Sequence, residues 1–283
     1  MTRAIGCAGL VLGSLGCLEP SSDTRVICHN ANCAAGATID ADDTLDALRA
    51  SLALRTRDGR VVFDGMELDS TWDRTRERCT FTHAPRASAP EFGEAAALVA
   101  DHVAAAQPNA AGHGAAFYVK IELKTDVGGG AAHSPGEVAA HVACVATAAR
   151  AVVAAGAASQ NTVIPIFDSD DPHLLAAIDP RPFAAELGAG CLFETGWSAP
   201  AVADFAPQIL TVAWYEASPA VMRDARAAKL GSTAGGAASG GGLAIWARSP
   251  APQDLYALLA LQPAYIAVNN AEEARRLLDP TTP

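Results

Sequence analysis

Aromatic residues make up only 6% of the 283 residues, and charged residues only 18%. A chain with so little charge and 50% hydrophobic content is not an extended disordered polymer; it carries enough apolar material for one large core or two small ones. The 20 lysines and arginines are outnumbered by 31 acidic residues, for a net charge of −11, and they nowhere gather into a block. A phosphate-neutralising stripe is therefore lacking, which excludes nucleic acid as a polymeric partner. A phosphoester substrate is not excluded, because a metal ion and one or two local cations can supply positive charge inside an acidic protein. No Gly-x-Gly-x-x-Gly turn follows the first predicted strand, which argues against a dinucleotide site on an open, doubly wound sheet. Zinc has no ligand pattern either, since Cys-x-x-Cys and Cys-x-x-His pairs are missing.

What the sequence does have begins with a leader. Met1-Thr2-Arg3, an apolar run over 4–15 and then Gly16-Cys17 follow the charged, apolar and small-residue order of a signal peptide, so residues 1–23 read as leader and tether. The run is too short to span a bilayer. Ser14-Leu15-Gly16-Cys17 resembles a bacterial lipobox, so the expected product is exported, either secreted or held at the cell envelope by a lipidated Cys17. Export permits disulfides among Cys28, Cys33, Cys79, Cys144 and Cys191. Five is odd, so at least one stays unpaired; either Cys28 or Cys33 could pair with Cys79.

From residue 24 on, short β-rich runs alternate with alanine-rich helical ones, the pattern of a parallel sheet with crossover helices. Strands are predicted at 25–30, 61–69, 117–124, 162–168, 191–195, 209–215, 243–248 and 264–268, with a short excursion strand at 79–83 after the second. Helices are predicted at 43–55, 90–106, 135–155, 172–187, 219–229, 252–261 and 271–278, several of them opening on proline, whose missing N–H costs least in the first turn. The Gly/Ala/Ser tract at 231–242 reads as a flexible loop. Eight strands suit closure, so the expected fold is α/β, a single (β/α)8 TIM barrel over 24–283.

In such a barrel the chemistry sits at the C-terminal strand ends. His29-Asn30 ends the first predicted strand, Glu67-Leu68-Asp69 the second, His83 the excursion and Glu122-Leu123-Lys124 the third. Residues two apart on a strand point the same way, here toward the axis. Three inward carboxylates, Glu67, Asp69 and Glu122, need a counter-charge, and a hard divalent cation, Mg2+ or Ca2+, fits oxygen ligands better than zinc does. Two histidines and a lysine complete the parts for phosphodiester cleavage: a base, an acid and a fixed positive charge.

The ordered motifs Val-Ile-Cys-His29-Asn30, Met-Glu67-Leu-Asp69, Phe-Thr-His83-Ala and Lys-Ile-Glu122-Leu-Lys124 resemble the glycerophosphodiester phosphodiesterase family. That resemblance implies a TIM-barrel phosphodiesterase with His29 and His83 as acid and base, Glu67, Asp69 and Glu122 as metal ligands, and Lys124 on the phosphate. Trp246, in Ile-Trp246-Ala, resembles the family's late aromatic strand that lines the substrate pocket, and Asn30 also falls at the substrate. The substrate so implied is a small-molecule or lipid phosphodiester, a glycerophosphodiester or a lysophospholipid headgroup. His-Asn at the first site is similar to the sphingomyelinase D branch as well, which cyclises instead of hydrolysing. The chain departs from the family where its usual His-Arg-Gly reads His29-Asn30-Ala31, so an arginine contact to phosphate is missing, and where its usual late Thr-Asp reads Asn269-Asn270. These departures frame the competing expectation, a degenerate envelope barrel that binds a ligand or partner without catalysis.

The remaining histidines, His102, His113, His133, His141 and His173, read as surface or helix residues; Asp168, Asp170 and Asp171 follow the fourth predicted strand, where they could join the pocket, but read better as acidity at the N-terminus of the next helix. Glu194 and Glu216 fall at strand ends, where either would contact substrate or line a wet barrel mouth.

Overall fold

A computed structural model describes residues 20–21, 23–34, 39–124, 133–179, 181, 190–199, 205–228 and 242–279. The leader with Cys17, most of the glycine tract and residues 180 and 182–187 of the predicted fourth helix lie outside the described residues.

Nine strands are described: β1 (Arg25–Cys28), β2 (Gly65–Asp73), β3 (Arg78–Phe81), β4 (Ala116–Leu123), β5 (Thr162–Asp168), β6 (Leu192–Gly196), β7 (Ile209–Ala213), β8 (Gly242–Trp246) and β9 (Tyr265–Val268). Eight of them pair in parallel in the order β1-β2-β4-β5-β6-β7-β8-β9, and β9 returns to β1, so the sheet closes into the expected (β/α)8 barrel. β3 is the excursion; it lies antiparallel against the overhanging end of β2, Ser70 opposite Phe81 through Asp73 opposite Arg78.

The helices are α1 (Leu45–Leu52), α2 (Phe92–Ala105), α3 (Pro135–Ala158), α4 (Pro172–Ala176), α5 (Pro219–Ala227), α6 (Pro252–Ala260) and α7 (Ala271–Leu278). Their starts follow local chemistry. Thr44 accepts a hydrogen bond from the Ala47 N–H and opens α1, while Ser134 and Glu137 form a reciprocal capping box ahead of Pro135. Asp43, predicted inside the first helix, instead sits at φ 55°, ahead of the cap.

Strand ends were predicted too long where side chains turn out of the ladder. β1 stops at Cys28, because the chain turns into a short 3-10 segment at His29–Ala31. β7 stops at Ala213 and β8 at Trp246, leaving Trp214, Tyr215 and Arg248 on loops at the mouth. β2 begins at Gly65, four residues later than expected, since Val61 makes only an isolated bridge to Arg55. Gly65 has a physical reason: a Cβ there would come within 2.4 Å of the Tyr118 carbonyl oxygen, so only glycine lets β2 and β4 approach at this point.

The main core lies between the barrel and its helices, with Leu48, Phe63, Phe81, Phe92, Val99, Phe117 and Phe167 all buried. A second cluster, from Ile27, Tyr118, Ile166, Leu192, Ile209, Ala244 and Tyr265, fills the barrel interior below the site. Two disulfides are formed, Cys28–Cys33 and Cys79–Cys144, so neither Cys28 nor Cys33 pairs with Cys79. Proximity decides this, because the turn after β1 brings the Cα atoms of Cys28 and Cys33 to 5.7 Å, whereas Cys79 on β3 faces α3. Among the described residues Cys191 is left free; it is buried, and burial pushes its thiol up to about 12.

Candidate active site

The C-terminal strand ends surround a cavity of about 770 Å³ lined by His29, Asn30, Glu67, His83, Lys120, Glu122, Lys124, Asp168, Trp246 and Arg248 among others. The predicted histidines, carboxylates and lysine therefore come together in one place, and the parallel register accounts for it. Glu67 lies opposite Lys120 and Asp69 opposite Glu122 across β2 and β4, while Glu122 faces Asp168 across β4 and β5.

His29 enters on a turn of unusual backbone. Asn30 and Ala31 both adopt left-handed conformations, at φ 50° and 54°. Asparagine tolerates this; for alanine it costs roughly 1–2 kcal/mol. The Cys28–Cys33 disulfide closes the turn, and Ser51 pins it by donating to the Ala31 carbonyl and accepting from the Cys33 N–H. The strained Ala31 lies two residues after the catalytic candidate, in keeping with strain being stored near functional sites.

The proton positions on His29 follow from its neighbours. Asn269 Nδ2 donates to the Asn32 carbonyl at 2.9 Å, which turns Asn269 Oδ1 toward His29 Nδ1, also at 2.9 Å. An amide oxygen only accepts, so Nδ1 carries the hydrogen, and in the neutral ring Nε2 is left with a lone pair. That atom faces Glu67 Oε2 at 3.8 Å. Trp246 stacks on the ring with planes 6° apart and holds its orientation. Asn30, expected at the substrate, lines the cavity, but its side chain donates to Asp42.

His83 is bound in the complementary manner. Its Nδ1 lies 2.7 Å from Asp69 Oδ2, so the carboxylate takes the Nδ1–H and Nε2 faces outward on a half-exposed ring. Asp43 Oδ2 accepts from the His83 backbone N–H at 3.1 Å and fixes the loop.

The carboxylates Glu67, Asp69 and Glu122 place ligand oxygens within 4.8 Å of one another, as three ligands of one cation must. Their charge is only partly balanced by protein groups. Burial pushes the carboxyl of Glu67 up, but Lys120 and His29 outweigh it and hold the group below its ordinary value. Burial acts likewise on Asp69, where Lys124 and His83 prevail. Glu122 is left with the imbalance: burial and the neighbouring Asp69 raise it to about 7 despite Lys124. Glu67 Oε2 and Asp69 Oδ1 are buried without a hydrogen-bond partner, and such orphaned oxygens call for a ligand. The donor set is all oxygen, which fits a hard cation such as Mg2+ or Ca2+.

Lys124 contacts Glu122 and, at 3.6 Å, Asp69. These carboxylates raise its ammonium above the ordinary lysine value against the effect of burial.

A second lysine was not anticipated. Lys120, 2% exposed, lies one layer below the site with its ammonium 2.8 Å from Glu67, 3.0 Å from Asp168 and 3.2 Å from Glu194. Burial opposes its charge, but the three carboxylates raise it well above the ordinary lysine value. The signal was present in the spacing, since Lys120, Glu122 and Lys124 alternate on one face of β4. Asp168 is correspondingly not acidity at the N-terminus of α4; it points into the barrel. Asp171 fills that role by accepting from the His173 N–H. Glu194 is fully buried and accepts from the Thr211 hydroxyl, so it neither reaches substrate nor lines a wet mouth. His141, on α3, is buried against Ser70, with Nε2 2.8 Å from the Ser70 Oγ.

No family model matches the chain, and no curated protein does. Among solved structures it is similar to a glycerophosphodiester phosphodiesterase from Agrobacterium tumefaciens, with 14% identity, 89% of this chain and 99% of that chain covered, and a TM-score of 0.48.

Proposed function

We propose that the chain is a divalent-cation-dependent phosphodiesterase acting on glycerophosphodiesters or lysophospholipid headgroups, with His29 and His83 exchanging protons and Glu67, Asp69 and Glu122 holding the cation. One observation carries the reading: two imidazoles, each with Nδ1 committed to an acceptor, line the cavity around two buried carboxylates and a partly buried third whose charge the protein leaves partly uncompensated. Bound there, Mg2+ or Ca2+ would neutralise the carboxylates and offset charge developing on the nonbridging phosphate oxygens.

The chain's own groups account for the proton movements. His29 Nε2 accepts the proton of the attacking hydroxyl, which belongs either to water or to the substrate's neighbouring alcohol. The new O–P bond forms as the bond to the headgroup or glycerol oxygen breaks. Protonated His83 gives its Nε2–H to that leaving alkoxide, and Asp69 steadies the ring throughout. Attack by water yields a phosphomonoester; attack by the substrate's hydroxyl yields a cyclic phosphate. Lys124, at the rim of the carboxylate group, is placed to meet a phosphate oxygen, and Trp246 forms the wall behind His29.

Two disulfides support an oxidising compartment, in keeping with an exported protein tethered through Cys17. The test is release of alcohol from a panel of glycerophosphodiesters and lysophospholipids by protein lacking residues 1–17, with Mg2+, with Ca2+ and with chelator. Metal-dependent turnover that falls about 10²- to 10⁴-fold in His29→Ala and Glu67→Gln is the expected result. Cation binding without turnover anywhere in the panel would instead favour a ligand-binding barrel.

A further inference from the structure

Among the described residues, three lysine and arginine side chains line the cavity, and they differ in how much of their charge is already engaged. Lys120 is enclosed by Glu67, Asp168 and Glu194. Lys124 is shared between Glu122 and Asp69. Arg248 makes one ion pair, its terminal nitrogen 3.0 Å from Asp42 Oδ2, and 45% of its side chain is exposed. The other guanidinium N–H groups donate to no acceptor among the described residues.

The position of Arg248 is fixed from both ends. Its backbone carbonyl accepts from the Asn269 N–H at 2.7 Å, and Asn269 is the residue whose side chain orients His29. Its guanidinium is held by Asp42, which also accepts from Asn30 at 3.4 Å and from Asn32 at 2.6 Å. Arg248 therefore stands beside the His29 turn, whereas Lys124 stands beside Asp69 and Glu122. A phosphate drawn to a cation held by the carboxylates, with the attacking hydroxyl at His29 Nε2, would have Arg248 on the His29 side and Lys124 on the Asp69 and Glu122 side.

We infer that Arg248 is a substrate-binding residue that grips the phosphate of the diester from the His29 side, as the counterpart of Lys124. The inference rests on the phosphodiester reading above and deepens it: an arginine on the loop after β8, lining the cavity beside the His29 turn, meets the substrate phosphate. A guanidinium tethered at one nitrogen keeps a planar fork of donors pointed in a set direction, suited to two oxygens of one phosphate. Asp42 limits the entropy lost on binding, because the side chain is already in place.

The test compares wild type with Arg248→Gln and Arg248→Lys, using protein lacking residues 1–17. Two quantities are measured: binding of inorganic phosphate by calorimetry, and kcat/KM for glycerophosphocholine and for glycerophosphoserine, which adds a carboxylate. Arg248→Gln is expected to weaken phosphate binding about 10- to 100-fold and to lower kcat/KM to a similar degree for both diesters. Arg248→Lys, which keeps the charge but not the fork, should recover part of each and so serves if the glutamine variant does not fold. Unchanged phosphate affinity in the variants, or no phosphate binding by wild type, would overturn the inference, and so would a loss confined to glycerophosphoserine. The outcomes separate the two proposals. Arg248-dependent phosphate binding without turnover of any diester would leave this inference standing and remove the enzymatic one; metal-dependent turnover indifferent to Arg248 would do the reverse.

Discussion

Asn269 Oδ1 takes the Nδ1–H of His29 at 2.9 Å, although the two residues are 240 apart in sequence. Because β9 lies beside β1 in the closed barrel, the residue that follows the last described strand sets the tautomer of the first catalytic candidate. Asn269→Leu is accordingly expected to lower kcat about 10- to 100-fold while leaving the fold intact, since Nδ1 loses its acceptor and Nε2 no longer holds the lone pair reliably. Asn269→Asp, which retains an acceptor, should keep most of the activity. Steady-state kinetics with a thermal melt on each variant checks this; equal activity in the leucine variant would show that the tautomer is set elsewhere.

Lys120 is a structural cation. Lys120→Met leaves Glu67, Asp168 and Glu194 buried without it and should cost about 3–5 kcal/mol, read from urea unfolding. The loss should shrink at acid pH. Burial, with mutual repulsion, already raises Asp168 well above its ordinary value and raises Glu194 too, so protonation relieves both once the lysine is gone.

The carboxyl of Glu122 is raised to about 7, above the ordinary 4.5 it regains on unfolding. The neutral form is thus favoured in the metal-free fold. This contribution to stability is fully present below pH 4.5 and is lost as pH rises through 7. In chelator, Glu122→Gln should therefore melt higher than wild type at pH 8 and nearly level with it at pH 4. Cation affinity in wild type should fall as pH drops below 7, because the ligand must first lose its proton. Calorimetric titrations with Mg2+ at pH 6 and pH 8 measure that difference.

His141 works in the opposite sense. Burial lowers it from 6.5 to about 4, so the neutral ring is favoured in the fold. Its contribution is present above pH 6.5 and is lost as pH falls through 4, an effect on the order of 3 kcal/mol. Unfolding midpoints in urea between pH 7 and pH 4 should show the decline, and His141→Gln should flatten it.

The Cys79–Cys144 disulfide spans 65 residues and ties the β3 excursion to α3. Replacing both cysteines by alanine should cost about 2–4 kcal/mol. The β3 end carries the loop with His83, so activity should fall by more than the lost folded fraction explains; turnover measured well below the melting temperature tests this.

The barrel, and the polar residues gathered at its C-terminal strand ends, were legible in local sequence patterns. Strand count and alternation set by local propensity gave the closed parallel sheet, and a period of two along β2 and β4 placed Glu67 with Asp69 and Glu122 with Lys124 on the inner face. Those patterns are local, because strand propensity and side-chain alternation depend only on near neighbours in the chain. Tertiary structure decided how each group is charged and held. Lys120 as counter-ion of a buried layer, Asn269 as partner of His29, Asp168 and Glu194 turned into the barrel, Arg248 at the mouth and the two disulfide pairings all join residues from strands or turns far apart in the chain. Closing the barrel brings them within a few ångströms, and burial there raises the cost of any unpaired charge or donor, so that partners fixed only by the fold set the protonation and orientation of the site.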